Sequence, residues 1–284
     1  MLVNKRLLNE IIDFALNEDI GPGDLTTESI VAENYPAIGY IKAKQMGILA
    51  GLPVAKAVFE RLDPDLLFLP QVEEGAQITP GQVLIELNGR AKTVLTGERL
   101  ALNFLQRLSG IATLTAELVE AVKPYPVRVV DTRKTTPGLR QLEKYAVTVG
   151  GGYNHRQGLF DAVLIKDNHI KIAGGISQAV AKVKEQIPHT IKIEVETEDL
   201  SGVQEAMEAG ADIIMLDNMD TDLMAQAVRL INGSALTEAS GGINKQTIVK
   251  VAATGVDIIS VGALTHSAIS LDISLDVGEL KPMK

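Results

Sequence analysis

From about residue 112 to about residue 270 the chain repeats one rhythm: a short apolar run, a stretch long enough for a helix, then another apolar run. The runs fall at 127–130, 162–165, 191–195, 213–216, 235–239 and 258–261, and helix-length segments include 177–186, 200–209, 223–231 and 245–253. Runs this short and this continuously apolar suit strands covered on both faces, as in a parallel sheet, and strand–helix alternation means βαβ units. Six units are two short of a full (β/α)8 barrel. The expected fold is therefore α/β, with an incomplete barrel of six to seven strands. No Gly-x-Gly-x-x-Gly follows an early strand, which argues against a dinucleotide-binding sheet.

The first 110 residues do not share this rhythm. Leu7, Leu8, Ile11, Ile12, Ala15 and Leu16 recur at helical spacing over 5–18, and Ile20-Gly21-Pro22-Gly23 breaks the helix. Strand-like runs at 38–48 and 82–87 are separated by the turn signals Glu74-Gly75 and Pro80-Gly81. A helix over 91–108 closes this half, with Gly110 after it. We read 1–110 as an α+β domain and 111–269 as the barrel domain.

Charge narrows the function. The chain carries a net −9, which argues against nucleic acid as a general partner. Yet between Arg128 and Lys171 there are eight Lys/Arg against four Asp/Glu, a local +4 that suits a small anionic ligand. No apolar run is long enough to span a membrane, and the start is amphipathic with Glu10, Asp13 and Glu18 interrupting it, unlike a secretory signal. A cytoplasmic protein with no membrane partner is expected. There are no cysteines, so disulfides, thiolate metal sites and cysteine nucleophiles are excluded.

The residues after each apolar run are sorted by chemistry. The first run leads into Asp131-Thr132-Arg133-Lys134-Thr135 and the second into Lys166-Asp167-Asn168-His169. The third ends in Glu196 and the fourth in Asp217-Asn218. The fifth leads to Ser240-Gly241-Gly242 and the sixth to Gly262-Ala263, with His266 beyond. In a parallel barrel these strand ends share the face that carries active sites. Polar loops explain polarity but not this order: cations, then single carboxylates, then glycines. Glycines after late strands let backbone N–H groups approach a phosphate, helped by a following helix N-terminus. Glu196 and Asp217, beside such turns, suit magnesium better than a general acid–base pair. Glu194, two residues before Glu196, either shares that role or pairs with a lysine such as Lys192. Arg133, Lys134, Arg156 and Lys166, with His155, supply more donors than one carboxylate needs, and point to a polycarboxylate ligand. Gly150-Gly151-Gly152 ahead of His155 suits a loop placed close to a ligand or another backbone.

These segments resemble one family. The residues 131–140, Lys144-Tyr145-Ala146-Val147, Gly150 through Arg156 and Leu164-Ile165-Lys166-Asp167-Asn168-His169 are similar to the quinolinate phosphoribosyltransferases, the carboxylating nicotinate-nucleotide pyrophosphorylases of de novo NAD synthesis. Glu18 through Thr27, Glu98 through Asn103, Leu216-Asp217-Asn218, Glu238 through Ile243 and Val261 through Ser267 extend the resemblance along nearly the whole chain. The resemblance implies an N-terminal α/β sandwich followed by an incomplete α/β barrel, with 270–284 packing back on the first domain. It implies that Arg133, His155, Arg156 and Lys166 bind quinolinate, joined by Arg99 from a partner subunit, and Thr132 counts among the substrate-binding residues. Lys134, Glu196, Asp217, Ser240, Gly241, Gly242, Gly262 and His266 would serve phosphoribosyl pyrophosphate and magnesium. Lys134, Lys166, Glu196 and Asp217 would be catalytic, with Glu196 and Asp217 as the metal ligands. A homodimer with shared active sites is implied, and assembly beyond the dimer is left open. The same fold also serves a molybdenum-transport-associated paralogue with another acceptor. A non-catalytic phosphosugar sensor would need the phosphate turns, but neither the carboxylate pair nor the dicarboxylate pocket.

Overall fold

The computed structural model describes residues 4–278. In chain order its elements are α1 (Lys5–Ile20), α2 (Leu25–Ile30), β1 (Pro36–Ala43), β2 (Gly47–Ile48), α3 (Leu52–Leu62), β3 (Leu67–Pro70), β4 (Gln77–Ile78), β5 (Val83–Arg90) and α4 (Ala91–Val122). There follow β6 (Arg128–Val130), α5 (Arg140–Val149), β7 (Val163–Ile165), α6 (Asp167–Ala173), α7 (Ile176–Gln186), β8 (Ile193–Thr197), α8 (Leu200–Glu208), β9 (Ile213–Asp217) and α9 (Thr221–Ile231). The chain continues through β10 (Leu236–Ser240), α10 (Ile248–Ala252), β11 (Ile258–Ser260), α11 (Ala263–His266) and β12 (Ile273–Val277).

The chain forms two compact units. Their division differs from the expected boundary at 110/111: it falls inside α4, after Leu114, and the first unit also takes Thr136–Gly150 and the segment from Ala268. Side chains explain why Thr136–Gly150 joins the first unit. The fully buried Glu143 carboxylate accepts from Arg107 Nη2 at 2.8 Å and from the Thr136 amide at 3.0 Å. Tyr145 donates to Glu74 at 2.6 Å, and Glu74 in turn accepts from the Gly51 and Leu52 amides at the start of α3. The first unit's four-stranded sheet runs β12-β1-β5-β3, antiparallel throughout. β12 thus adds 273–277 to the sheet edge beside β1; residues 279–284 of the expected C-terminal segment lie outside the described residues.

Gly110 does not end a helix as its position suggested. α4 runs straight through it, because the glycine serves a different need: a Cβ there would lie 2.1 Å from the Ile269 carbonyl oxygen. Absence of a side chain lets another backbone pass close by.

The second unit is the incomplete α/β barrel. Six strands pair in parallel in the order β6-β11-β10-β9-β8-β7. The two edges are neighbours in sequence, and Tyr153 occupies part of the space beside β6 through one parallel bridge to Val130. That bridge is the one place beside β6 where a further strand would pair among the described residues. Two repeated segments, Gly210-Ala211-Asp212-Ile213-Ile214 and Gly255-Val256-Asp257-Ile258-Ile259, tie strand starts together. Asp212 accepts from the Ile193 amide at 2.9 Å and Asp257 from the Thr237 amide at 2.8 Å. The strands alternate. Val129, Ile165, Val195, Ile214, Leu216, Ala239 and Ile259 are buried apolar residues, while the intervening positions carry Lys166, Glu194, Glu196, Asp217, Glu238 and Ser240.

Candidate active site

The alternate positions meet in a cavity of about 390 Å³ within the barrel unit. Thr132, Arg133, Lys134, His155, Arg156, Lys166, Asp217, Ser240, Gly241 and Gly242 line it, together with Leu164, Met215, Asn218, Glu238 and Ser260. Ten residues proposed from sequence therefore converge on one space.

The cationic part is built by one buried acid. Asp131, at the end of β6 and fully buried, accepts from the His155 amide at 2.9 Å and from Asn154 Nδ2 at 2.5 Å. It thereby brings the 154–156 loop beside the β6 end that carries Arg133 and Lys134. Thr132 Oγ1 accepts from the Lys134 amide at 3.0 Å and shapes that turn. Arg156 Nη1 donates to the Ala162 carbonyl at 3.2 Å. Burial, and then the like charge of Arg133, push the Arg156 guanidinium pKa downward, so the pocket gathers positive charge that an anion would relieve.

Lys166 follows β7 and its amide donates to His169 Nδ1 at 2.9 Å. Its Nζ pairs with Glu196 Oε2 at 2.5 Å. Asp217 ends β9, and its Oδ2 accepts from Asn218 Nδ2 at 2.6 Å. Asn218 adopts a left-handed φ of 54° and donates its amide to the Ser240 carbonyl at 2.9 Å. Gly241, at φ 98°, passes so close to it that a Cβ would lie 2.2 Å from Asn218 Oδ1. Only glycine combines that φ with that approach. Glu196 and Asp217 are hard oxygen donors from the adjacent strands β8 and β9, one bonded to Lys166 and one to Asn218, and are the residues here that could hold a magnesium ion.

Several expectations are revised. Glu194 does not pair with Lys192, which reaches Asp212 instead at 2.5 Å. Glu194 Oε2 lies 3.2 Å from His155 Nε2, and Glu238 Oε1 lies 3.5 Å from the same nitrogen. Carboxylates beside the ring raise the His155 pKa, overcoming the lowering effect of burial. No helix begins directly after Gly241-Gly242: Asn244 Oδ1 accepts from the Gln246 amide at 3.0 Å and holds a turn, and α10 starts only at Ile248. Any phosphate contact there would be made by turn amides. Glu196, Gly262, His266 and Arg99 do not line the cavity. Glu196 reaches it through Lys166. Gly262 is needed close to Lys134, whose Cδ would be 3.0 Å from a Cβ, and Thr265 Oγ1 donates to the Lys134 carbonyl at 2.8 Å. His266 is exposed and bonded to Ser267, and Arg99 is exposed on α4 in the first unit. Sequence reading gave no role to Asn218, Glu238 or Ser260. The signal for Glu238 was its place two residues before Ser240, which matches Glu194 before Glu196.

Known proteins resemble this chain in sequence and fold. Residues 24–109 match the N-terminal domain model of quinolinate phosphoribosyl transferase and residues 111–276 match its C-terminal domain model. A probable nicotinate-nucleotide pyrophosphorylase [carboxylating] of Bacillus subtilis is 46% identical over 275 residues, covering 97% of this chain and 95% of that protein. A probable enzyme of the same name from Synechocystis is 47% identical over 265 residues, covering 92% of this chain and 90% of that one. The crystal structure of NadC from Streptococcus pyogenes superposes with a TM-score of 0.94 at 43% identity, over 98% of this chain and all of that one. Both family models match in order and together cover most of the chain, which belongs to the quinolinate phosphoribosyltransferase family.

Proposed function

We propose that this chain transfers phosphoribose from phosphoribosyl pyrophosphate to quinolinate, releasing pyrophosphate and carbon dioxide and forming nicotinate mononucleotide for de novo NAD synthesis. The observation that carries this reading is the division of charge in one cavity. Cations come from the ends of β6 and β7 and the 154–156 loop, and Asp217 with the Ser240–Gly241–Gly242 turn comes from β9 and β10. Relatives named for this reaction support it.

The residues account for each step. Arg133 and Arg156 suit the two carboxylates of the acceptor, because a guanidinium binds a carboxylate as a fork. Lys134 and the amides of the Ser240–Gly242 turn suit phosphate oxygens. As the ribose C1–oxygen bond breaks, its electron pair leaves on pyrophosphate and the pyridine nitrogen lone pair forms the new bond to C1. The nitrogen becomes cationic. The bond from C2 to its carboxylate then breaks, the pair stays on C2 beside that cationic nitrogen, carbon dioxide departs, and C2 takes up one proton. Glu196 and Asp217 would hold magnesium, which supplies positive charge to the phosphates. The protein's own contribution is positioning and preorganised charge.

The working unit is read as a homodimer in which Arg99 of the partner subunit completes each site. Support comes from Arg99 being exposed on α4 beside an apolar cleft of about 540 Å³, lined in part by Leu7, Ile11, Phe14, Leu100 and Phe104. Phe14 is 70% exposed, a surface suited to burial against a second copy. The compartment is read as the cytoplasm. Among the described residues, no helix is long and apolar enough to cross a membrane. The reading is tested by supplying quinolinate, phosphoribosyl pyrophosphate and magnesium: nicotinate mononucleotide is expected, and nicotinate should be a poor acceptor.

A further inference from the structure

In the wall of the cavity, where His155 and Glu238 line it, sits a pair of buried acids that the reaction above does not use. Glu194 is 3% exposed and Glu238 2% exposed, on β8 and β10 with β9 between them. Their carboxylates approach one nitrogen, His155 Nε2, at 3.2 and 3.5 Å. Glu194 Oε1 and Glu238 Oε1 have no hydrogen-bond partner among the described residues. Burying two carboxylates so close together is costly, and a barrel core of this size could hold apolar side chains there instead. Burial pushes the Glu194 carboxyl up; the His155 hydrogen bond opposes that shift and the Glu238 charge adds to it.

The other side of the imidazole shows what the cluster supports. The Arg156 amide donates to His155 Nδ1 at 2.7 Å. That hydrogen bond needs a lone pair on Nδ1, so although the neighbouring carboxylates pull the ring's pKa upward, the geometry is that of the uncharged ring, with its proton on Nε2 facing the two acids. A path therefore runs from Glu194 Oε2, through one ring, to the main chain of the arginine that faces the cavity, with the Glu238 carboxylate set beside the same ring nitrogen. Asp131 fixes the same loop through the His155 amide, so the ring is held at its backbone and at both nitrogens.

We propose that Glu194 and Glu238 are positioning residues of the acceptor pocket: they orient the His155 imidazole from beneath, and His155 orients the Arg156 main chain, so that the arginine faces the cavity before the acceptor arrives. This rests on the reading of the cavity as the acceptor site. Neither acid is a magnesium ligand here; Glu194 lies behind the ring, and Glu238, although it borders the cavity, acts through His155. The arrangement resembles the outer partners of a metal-bound histidine, with the Arg156 main-chain amide in place of the metal.

The test separates this proposal from the reading beneath it. In ligand-free wild-type protein labelled with nitrogen-15, the His155 ring signals, assigned by their loss in His155→Asn, should show a protonated, hydrogen-bonded Nε2. In Glu194→Gln and Glu238→Gln those signals should move. Calorimetry on the same variants should show quinolinate binding weakened by about tenfold, the scale for loss of an outer partner, with phosphoribosyl pyrophosphate binding in magnesium unchanged. Glu238→Ala should be worse than Glu238→Gln, since the amide keeps the shape. An unprotonated Nε2 in the wild type, or ring signals unmoved in both variants, overturns the proposal whatever the acceptor. So does a shifted ring with quinolinate affinity within twofold of wild type, or loss of both substrates together with the unfolding temperature. One equivalent of tightly bound transition metal in the purified protein would also overturn it, because His155, Glu194 and Glu238 would then be its ligands. Failure of the wild type to bind quinolinate would count against the function, while the ring signals would still decide the positioning.

Discussion

In the proposed reaction, recognition of the acceptor falls to Arg133 and Arg156. Each lies in the cavity, and the Arg156 pKa is lowered by burial and by its like-charged neighbour. A bound dicarboxylate would offset both penalties. Arg133→Ala and Arg156→Ala should each weaken quinolinate binding by about 2–5 kcal/mol, the cost of breaking a buried charged contact. Calorimetry checks this, and unchanged affinity in both variants would remove them from the pocket. The metal pair makes a separate prediction. Glu196→Gln and Asp217→Asn keep shape and lose charge, so the magnesium concentration for half-maximal activity should rise. Binding of magnesium with phosphoribosyl pyrophosphate, read by calorimetry, should weaken in parallel, with quinolinate binding to the metal-free protein near normal. Normal magnesium titrations in both variants would exclude these carboxylates as ligands.

The elements show how far a local reading of sequence reaches. All six barrel strands fall where the apolar runs lie, because a strand covered by helices needs buried residues such as Val195 and Ile214 at alternate positions. The polar residues between them were also legible at Glu194 and Glu196, through their period of two. The features that stayed hidden depended on distant neighbours. That His155 would sit over Glu194 and Glu238 comes from sheet order, since β10 and β8 are separated by β9, and no spacing within one segment encodes it. The short strands β2 and β4, two residues each, are too brief to leave a pattern. Gly110 looked like a helix stop because glycine usually weakens a helix; its reason is the Ile269 backbone, far away in sequence. Replacing it sets two effects against each other. Gly110→Ala would improve helix propensity by about 1 kcal/mol, yet its Cβ would strike a backbone oxygen. The close approach wins, and the variant should be less stable by about 1–3 kcal/mol, the cost of overpacking. Urea unfolding measures it. A stabilised variant would show that the segment around Ile269 moves away freely.

At the scale of the whole molecule, the proposed catalyst is a pair of subunits. If Arg99 of the partner subunit completes each site, Arg99→Ala and Lys134→Ala should each be nearly inactive alone. Refolded together in equal amounts, about half of the dimers would be mixed, each with one intact site and one doubly defective site, so about a quarter of wild-type activity should return. Confirmed mixed dimers without recovered activity would reject the shared site. The central claim, however, is the reaction itself. It is tested most directly with quinolinate carrying carbon-14 in its 2-carboxylate, supplied with phosphoribosyl pyrophosphate and magnesium. The account predicts labelled carbon dioxide, pyrophosphate and unlabelled nicotinate mononucleotide in equal amounts. A product that keeps the label, or pyrophosphate released with no carbon dioxide, would contradict it.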